Sequence, residues 1–232
     1  MLELEPGLRV IGLLSCALLV LSSTGRCDSD SPPSQPCPGA AAWQTAHPEE
    51  SPEAMALRDG QRMYTDPDLR KQLKERFDED QRARREYIKS PHDPDIARRV
   101  ETIDSQNLIW LRNLVRNKGI PTVQQVGELG VHWAWLLVQH ADRDRNFQAS
   151  AQVVFAKRFE AGELPADDLA KLTDRILVAQ GKPQRFGTQF DWLSRKFDTR
   201  NSGDLSEIDA NRRKIGLMPL EDYACTMNAK LN

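Results

Sequence analysis

A mainly α chain, folded as a single helical-bundle-like domain, is what this sequence predicts, and three observations predict it. Apolar residues recur at three- and four-residue spacing over most of the chain, prolines and glycines fall at the ends of those periodic runs, and no segment shows convincing strand alternation. The exception is an irregular loop near 183–204, with a possible short extended piece around Arg185–Phe190.

The amino end reads as a signal peptide or N-terminal anchor over residues 1–27: an apolar run from Val10 to Leu21, then Ser22, Ser23, Thr24 and Gly25. The expected location is periplasmic or extracellular. Membrane contact would come only through this segment, if it is uncleaved or if Cys27 is lipidated. Residues 28–53, rich in Ser, Pro, Ala and Gly, read as a disordered tether. The folded domain is expected over 54–232. Cys37 and Cys225 could pair in an oxidising compartment, and free thiols are the alternative.

Within the domain, Asp66-Pro67 opens a charged helix that runs through Ile88. Its mixed charges are most simply a solvated face, with Asp80, Gln81 and Arg84 the members to watch. The next helix lies between Asp93-Pro94 and Gly119-Ile120-Pro121. Val100, Ile103, Leu108, Leu111, Leu114 and Val115 form one stripe along it, and Asp104 and Asn107 fall inside that stripe. An unpartnered carboxylate or amide buried there costs roughly 1–3 kcal/mol, so a closed network or a lined polar cavity is expected. Leu129–Ala141 is apolar on nearly all sides and reads as the central helix. A helix over Asn146–Ala161 stops at Gly162, and another opens at Pro165 and Asp167-Asp168 and closes at Gly181. Ser206 is expected to cap a short helix ending at Gly216, and Pro219 to start a last one carrying Tyr223.

Candidate chemistry comes from polar residues in four distant segments. His140 shares a face with Leu129, Trp133 and Leu136 at the end of the central helix, beside Gln139. Asp174-Arg175 interrupts the helix built on Leu169, Leu172, Ile176 and Leu177, and neighbouring helical positions diverge, so the two should find different partners. Arg175 suits a carboxylate or phosphate, or an inter-helix salt bridge. The loop holding Gln184, Thr188 and Gln189 can place donors around a ligand or satisfy helix ends.

The expected pocket is therefore catalytic at His140, Asp104 and Asp174 and ligand-binding at Asn107, Gln139, Arg175, Gln184, Thr188, Gln189 and Arg212. In it His140 transfers a proton, Asp104 or Asp174 orients the imidazole, and Arg175 or Arg212 holds an anionic group. Cofactor-free acid–base chemistry, hydrolytic or eliminative, is one reading. A peptide- or cell-envelope-binding scaffold is the other, and a buried network that only fixes helix register is the third.

The formal charge of −2 offers no field to recruit nucleic acid, so a small-molecule or peptide ligand is expected. No cofactor is expected either; the chain has no Gly-rich phosphate loop, and no Gly-x-Ser-x-Gly turn that would present a nucleophilic serine. Metal sites are disfavoured on spacing. The Asp198–Gly203 stretch carries Arg200 at the third calcium-ligand position, Asp142–Asn146 is followed by Phe147 where the turn needs glycine, and His132 and His140 lack a ligand cluster.

Asp80-Gln81-x-x-Arg84, Asp104-x-x-Asn107, Gly119-x-Pro121, Gln139-His140-Ala141-Asp142, Leu172-Thr173-Asp174-Arg175, Pro183-Gln184-x-Phe186-Gly187-Thr188-Gln189 and Asp209-x-x-Arg212-x-x-x-Gly216-Leu217-x-Pro219-Leu220-x-x-Tyr223 occur in this order. Over roughly Asp66–Tyr223 the chain thereby resembles a bacterial family catalogued as a domain of unknown function, number 6624. The resemblance implies no reaction. It does mark Phe186, where the family pattern has tyrosine, and Ile120, where it has tryptophan, as altered positions.

Overall fold

A computed structural model describes residues 37–191, 196–197 and 204–229. The fold is mainly α. Its helices are α1 (Pro38–Ala46), α2 (Pro52–Gly60), α3 (Pro67–Lys89), α4 (Pro94–Lys118), α5 (Val123–Gln139), α6 (Arg145–Glu160), α7 (Ala166–Ala179), α8 (Leu205–Lys214) and α9 (Leu220–Ala229), with a 3-10 turn at Pro48–Glu50. Two-residue strands β1 (Phe190–Asp191) and β2 (Lys196–Phe197) pair antiparallel, so the extended piece begins at Phe190, the last residue of the Arg185–Phe190 stretch where it was expected.

Short polar residues start the helices, as their side chains dictate. Asp66 accepts from the Leu69 amide, Asp93 from those of Asp95 and Ile96, and Asp144 from that of Phe147. Thr122 and Gln125 form a reciprocal capping box at the start of α5. The cap of α8 is Asp204, which accepts from the amide and hydroxyl of Ser206, so Ser206 sits inside the helix instead of capping it.

The central helix is α5, and it starts earlier than its apolar run. A kink at Gly127 (φ 76°) joins the first turn to the rest, and a Cβ there would lie 2.1 Å from Asp59 Oδ1. Only glycine fits that backbone and that approach. Around the kink Arg70 pairs with the buried Asp59 at 2.6 Å, donates to the Val126 carbonyl and lies over the rings of Tyr64 and Trp133. Beyond it, Val131, Trp133, Trp135, Leu137 and Val138 are buried against Leu69 and Leu73 of α3, Leu111 of α4, Phe155 of α6 and Leu172 of α7. Each such side chain contributes about 1.5–3 kcal/mol of burial, which makes α5 the axis of the core.

The tether expected over 28–53 differs from the structure wherever that stretch is described. From Cys37 the chain is helical, with Cys37 and Ala40 buried, and Cys37 and Cys225 form a disulfide, their Cα atoms 5.7 Å apart. Residues 37–53 thus belong to the folded body, which was expected only from residue 54. Pro38, Pro48 and Pro52 occupy first turns of helices, so the prolines that suggested a linker are helix starts. The leader at 1–27, residues 28–36 and the Asp198–Gly203 loop lie outside the described residues. Among those described, no helix is long and apolar enough to cross a membrane.

Candidate functional site

The inward stripe of α3 runs Leu69, Leu73, Asp80, Ala83, so Asp80 enters the bundle on the same face as two core leucines and is only 1% exposed. Arg84 follows one turn later. Opposite, α4 supplies Asp104, and the end of α5 supplies His140, whose backbone caps that helix. These four side chains converge. His140 Nδ1 lies 3.0 Å from Asp80 Oδ1, Arg84 Nε lies 3.2 and 3.3 Å from the two Asp80 oxygens, and Arg84 Nη2 lies 2.5 Å from Asp104 Oδ1.

The protons in this cluster follow from valence. Arg84 Nε is always a donor, yet it lies 3.0 Å from His140 Nδ1. Both nitrogens satisfy their chemistry when they donate to the shared Asp80 oxygen, which assigns the Nδ1–H tautomer and leaves Nε2 as the imidazole's acceptor. No partner for Nε2 occurs among the described residues. Gln81 completes the Asp80 carboxylate with a 2.9 Å bond.

Burial sets the electrostatics. It pushes His140 down to about 4, helped by Arg84 and Arg175 and opposed by Asp80, so the imidazole is neutral at neutral pH. Burial pushes Asp104 up to about 6 against the pull of Arg84. It also works against the Asp80 carboxylate, but the hydrogen bond from His140, together with Arg84 and Gln81, holds that group below the ordinary range. The result inverts the usual order, a carboxyl group titrating above a neighbouring imidazole. The His140 side chain is 13% exposed, Asp104 22% and Arg84 26%, so the cluster is not sealed from water.

Donor atoms of Asp80, Asp104 and His140 lie within 4.8 Å of one another, a spacing that a cation could bridge. The guanidinium of Arg84 bonds to both carboxylates, lies 3.0 Å from the imidazole and already supplies positive charge there.

The other expected site residues fall elsewhere. Asp174 does not orient the imidazole, a position that Asp80 holds. Its carboxylate accepts from the amides of Arg185 (2.7 Å), Phe186 (3.1 Å) and Thr188 (2.9 Å) and from the Thr188 hydroxyl (2.8 Å). Gln184 Oε1 accepts from the Gln189 amide at 2.8 Å, and Gln189 donates to the Lys171 carbonyl at 3.1 Å, so both glutamines also hold this loop together. Arg212, 1% exposed, donates to the carbonyls of Met218 and Phe186, both at 2.7 Å, and lies over the Tyr223 ring. It is an anchor, with its charge spent on backbone.

Arg175 takes the salt bridge: it grips Asp142 with both arms of its guanidinium, Nε to Oδ1 at 2.8 Å and Nη2 to Oδ2. Asp142 also accepts from Arg145 and from the buried Gln148, which caps the Val138 and Gln139 carbonyls at the end of α5. Asn107 Oδ1 accepts from Arg76, and Gln139 Nε2 reaches the Lys171 carbonyl at 3.5 Å. Asn107 Nδ2 and Gln139 Oε1 stay buried without a hydrogen bond among the described residues.

A second imidazole–carboxylate pair escaped the sequence reading. His132 Nδ1 lies 2.7 Å from Asp168 Oδ2, with the imidazole stacked 5.4 Å from Trp135. Burial raises Asp168 and, by itself, lowers His132, but the Asp168 carboxylate outweighs it and leaves His132 above its ordinary value. Asp168 had signalled only the first turn of α7, since no local pattern reveals a partner 36 residues away.

No curated protein and no solved structure matches this chain. A model described as a family of unknown function (DUF6624) matches residues 67–230, which is most of the chain and includes every residue of both networks, and the protein belongs to that family.

Proposed function

We propose that the cluster at the end of α5 is an acid–base centre in which neutral His140 accepts a proton at Nε2 while Asp80 fixes its tautomer. The observation that carries this reading is the 3.0 Å contact of His140 Nδ1 with the buried Asp80, on an imidazole that burial keeps unprotonated. Asp104, pushed up to about 6, is the neighbouring group suited to hold a proton under mildly acidic conditions, and Arg84 links the two carboxylates. The chemistry needs side chains only, which suits hydrolysis or elimination on a small anionic or amide-containing ligand.

The alternative is a peptide- or cell-envelope-binding scaffold that uses the same residues without turnover. In that reading Arg84 and Arg175, both engaged by carboxylates of the chain itself, would exchange those partners for a ligand's. The Cys37–Cys225 disulfide supports placement of the working protein in an oxidising, exported compartment.

Turnover of a panel of p-nitrophenyl esters, phosphoesters and anilides decides between the two readings. On any member that the native protein cleaves, His140→Gln and Asp80→Asn should lower kcat about 10²–10⁴-fold with melting temperatures near native. Turnover that survives both substitutions, or that no panel member elicits, sinks the catalytic reading.

A further inference from the structure

Away from His140, a groove of ≈ 330 Å³ lies between α6, α7, the 184–189 loop and α8. Phe159, Leu169, Phe186 and Ile215 give it an apolar floor, and two exposed cations, Arg185 and Lys214, stand beside that floor. Neither cation has an ion pair among the described residues, unlike Arg175 nearby, which Asp142 holds. Arg185 is also held in place before any ligand arrives. Its amide donates to Asp174 at 2.7 Å, its carbonyl accepts from Asn211 at 3.3 Å, and its guanidinium lies 5.9 Å from the Phe186 ring centre. Fixing this backbone in the free protein removes part of the ordering cost of binding. Lys214 closes the last turn of α8, so the cation is favoured there by the helix end as well. Glu160, also on the groove wall, repels a second negative charge.

We propose that this groove binds a monocarboxylate with a flat apolar body, the carboxylate between Arg185 and Lys214 and the body on the Phe159–Phe186–Ile215 floor. This site is independent of the acid–base reading. Guanidinium forks match carboxylates, and aromatic floors match planar hydrocarbon, so charge and shape select the same ligand class.

Titration of the ¹⁵N-labelled full chain with 2-naphthoate, and separately with uncharged 2-naphthamide, tests it by NMR. Saturable shifts are expected at the amides of Thr173, Arg185, Phe186 and Ile215, with 2-naphthamide roughly tenfold weaker. Arg185→Glu and Lys214→Glu, both at exposed positions, should each weaken 2-naphthoate about tenfold, and Glu160→Gln should tighten it severalfold. His140→Gln should leave the affinity unchanged, which separates this site from the centre at α5. Equal affinity for acid and amide, indifference to the charge reversals, shifts centred on α3 and α4, or no saturable shifts would each overturn the proposal.

Discussion

Asp174 and Asp104 are both carboxylates that helical spacing placed among leucines, yet the structure treats them in opposite ways. Asp174 is surrounded by four donors from one loop, three of them backbone amides, and has no lone pair left for a ligand. Asp104 has one strong partner, Arg84, which it shares with Asp80, and burial pushes it up to about 6. A saturated carboxylate acts as a fastener. Burial raises both carboxyl groups, so the two differ in free acceptor capacity, which Asp104 keeps beside a neutral imidazole and Asp174 has spent on its loop.

The sharpest way to break this comparison is to delete each carboxylate in turn. Asp174→Ala strands several buried amides at once, and chemical denaturation should register a loss of about 3–5 kcal/mol. Cys225→Ser comes next. It frees α9, whose Tyr223 hydroxyl reaches the Thr188 carbonyl, and should cost about 2–4 kcal/mol with faster hydrogen exchange over residues 184–189. If exchange instead quickens at α3 and α4, the assignment of α9 to the fastened region is wrong.

The pH dependence sharpens the contrast further. The folded state depresses the His140 pKa from 6.5 to about 4, so the stability it contributes is full above about 6.5 and is lost as pH falls toward 4. Asp104 is raised from 3.8 to about 6, so its contribution is full below about 3.8 and is lost as pH rises through 6. Between pH 4 and 6 the two oppose each other. Relative to the native protein, Asp104→Asn should therefore gain stability with rising pH, and His140→Gln should lose it, by at most roughly 1.4 kcal/mol per pH unit. Parallel curves for all three proteins would show that neither group is shifted. The smallest effect is expected for His140→Gln at pH 7, under about 1 kcal/mol by thermal denaturation, because a neutral imidazole is replaced by a neutral amide.

Helix order and most boundaries were legible in sequence because Asp and Pro at helix starts act locally, as at Asp66 and Asp93, whereas the start of α5 at Thr122 was missed because its apolar run begins only at Leu129. So was the polar insertion at Asp104, which periodicity exposes. Asp80 was marked only as a residue to watch, since its helix is charged on many sides, although its register with Leu69 and Leu73 was the available signal. The role of Asp174 could not be read, because its partners are mainly backbone amides and residue types do not announce them. The helix at Pro38–Ala46 was hidden for a different reason. Its composition resembles a linker, and what orders it is a cysteine 188 positions downstream.

That bond also determines what a protease could accomplish. A single cut anywhere between Cys37 and Cys225, for instance in the exposed turn at Gly162, would yield two fragments still covalently joined. Nicked protein would keep its mass until a thiol reductant was added, so the release of fragments would report the redox state of the surroundings and the cutting alone would not.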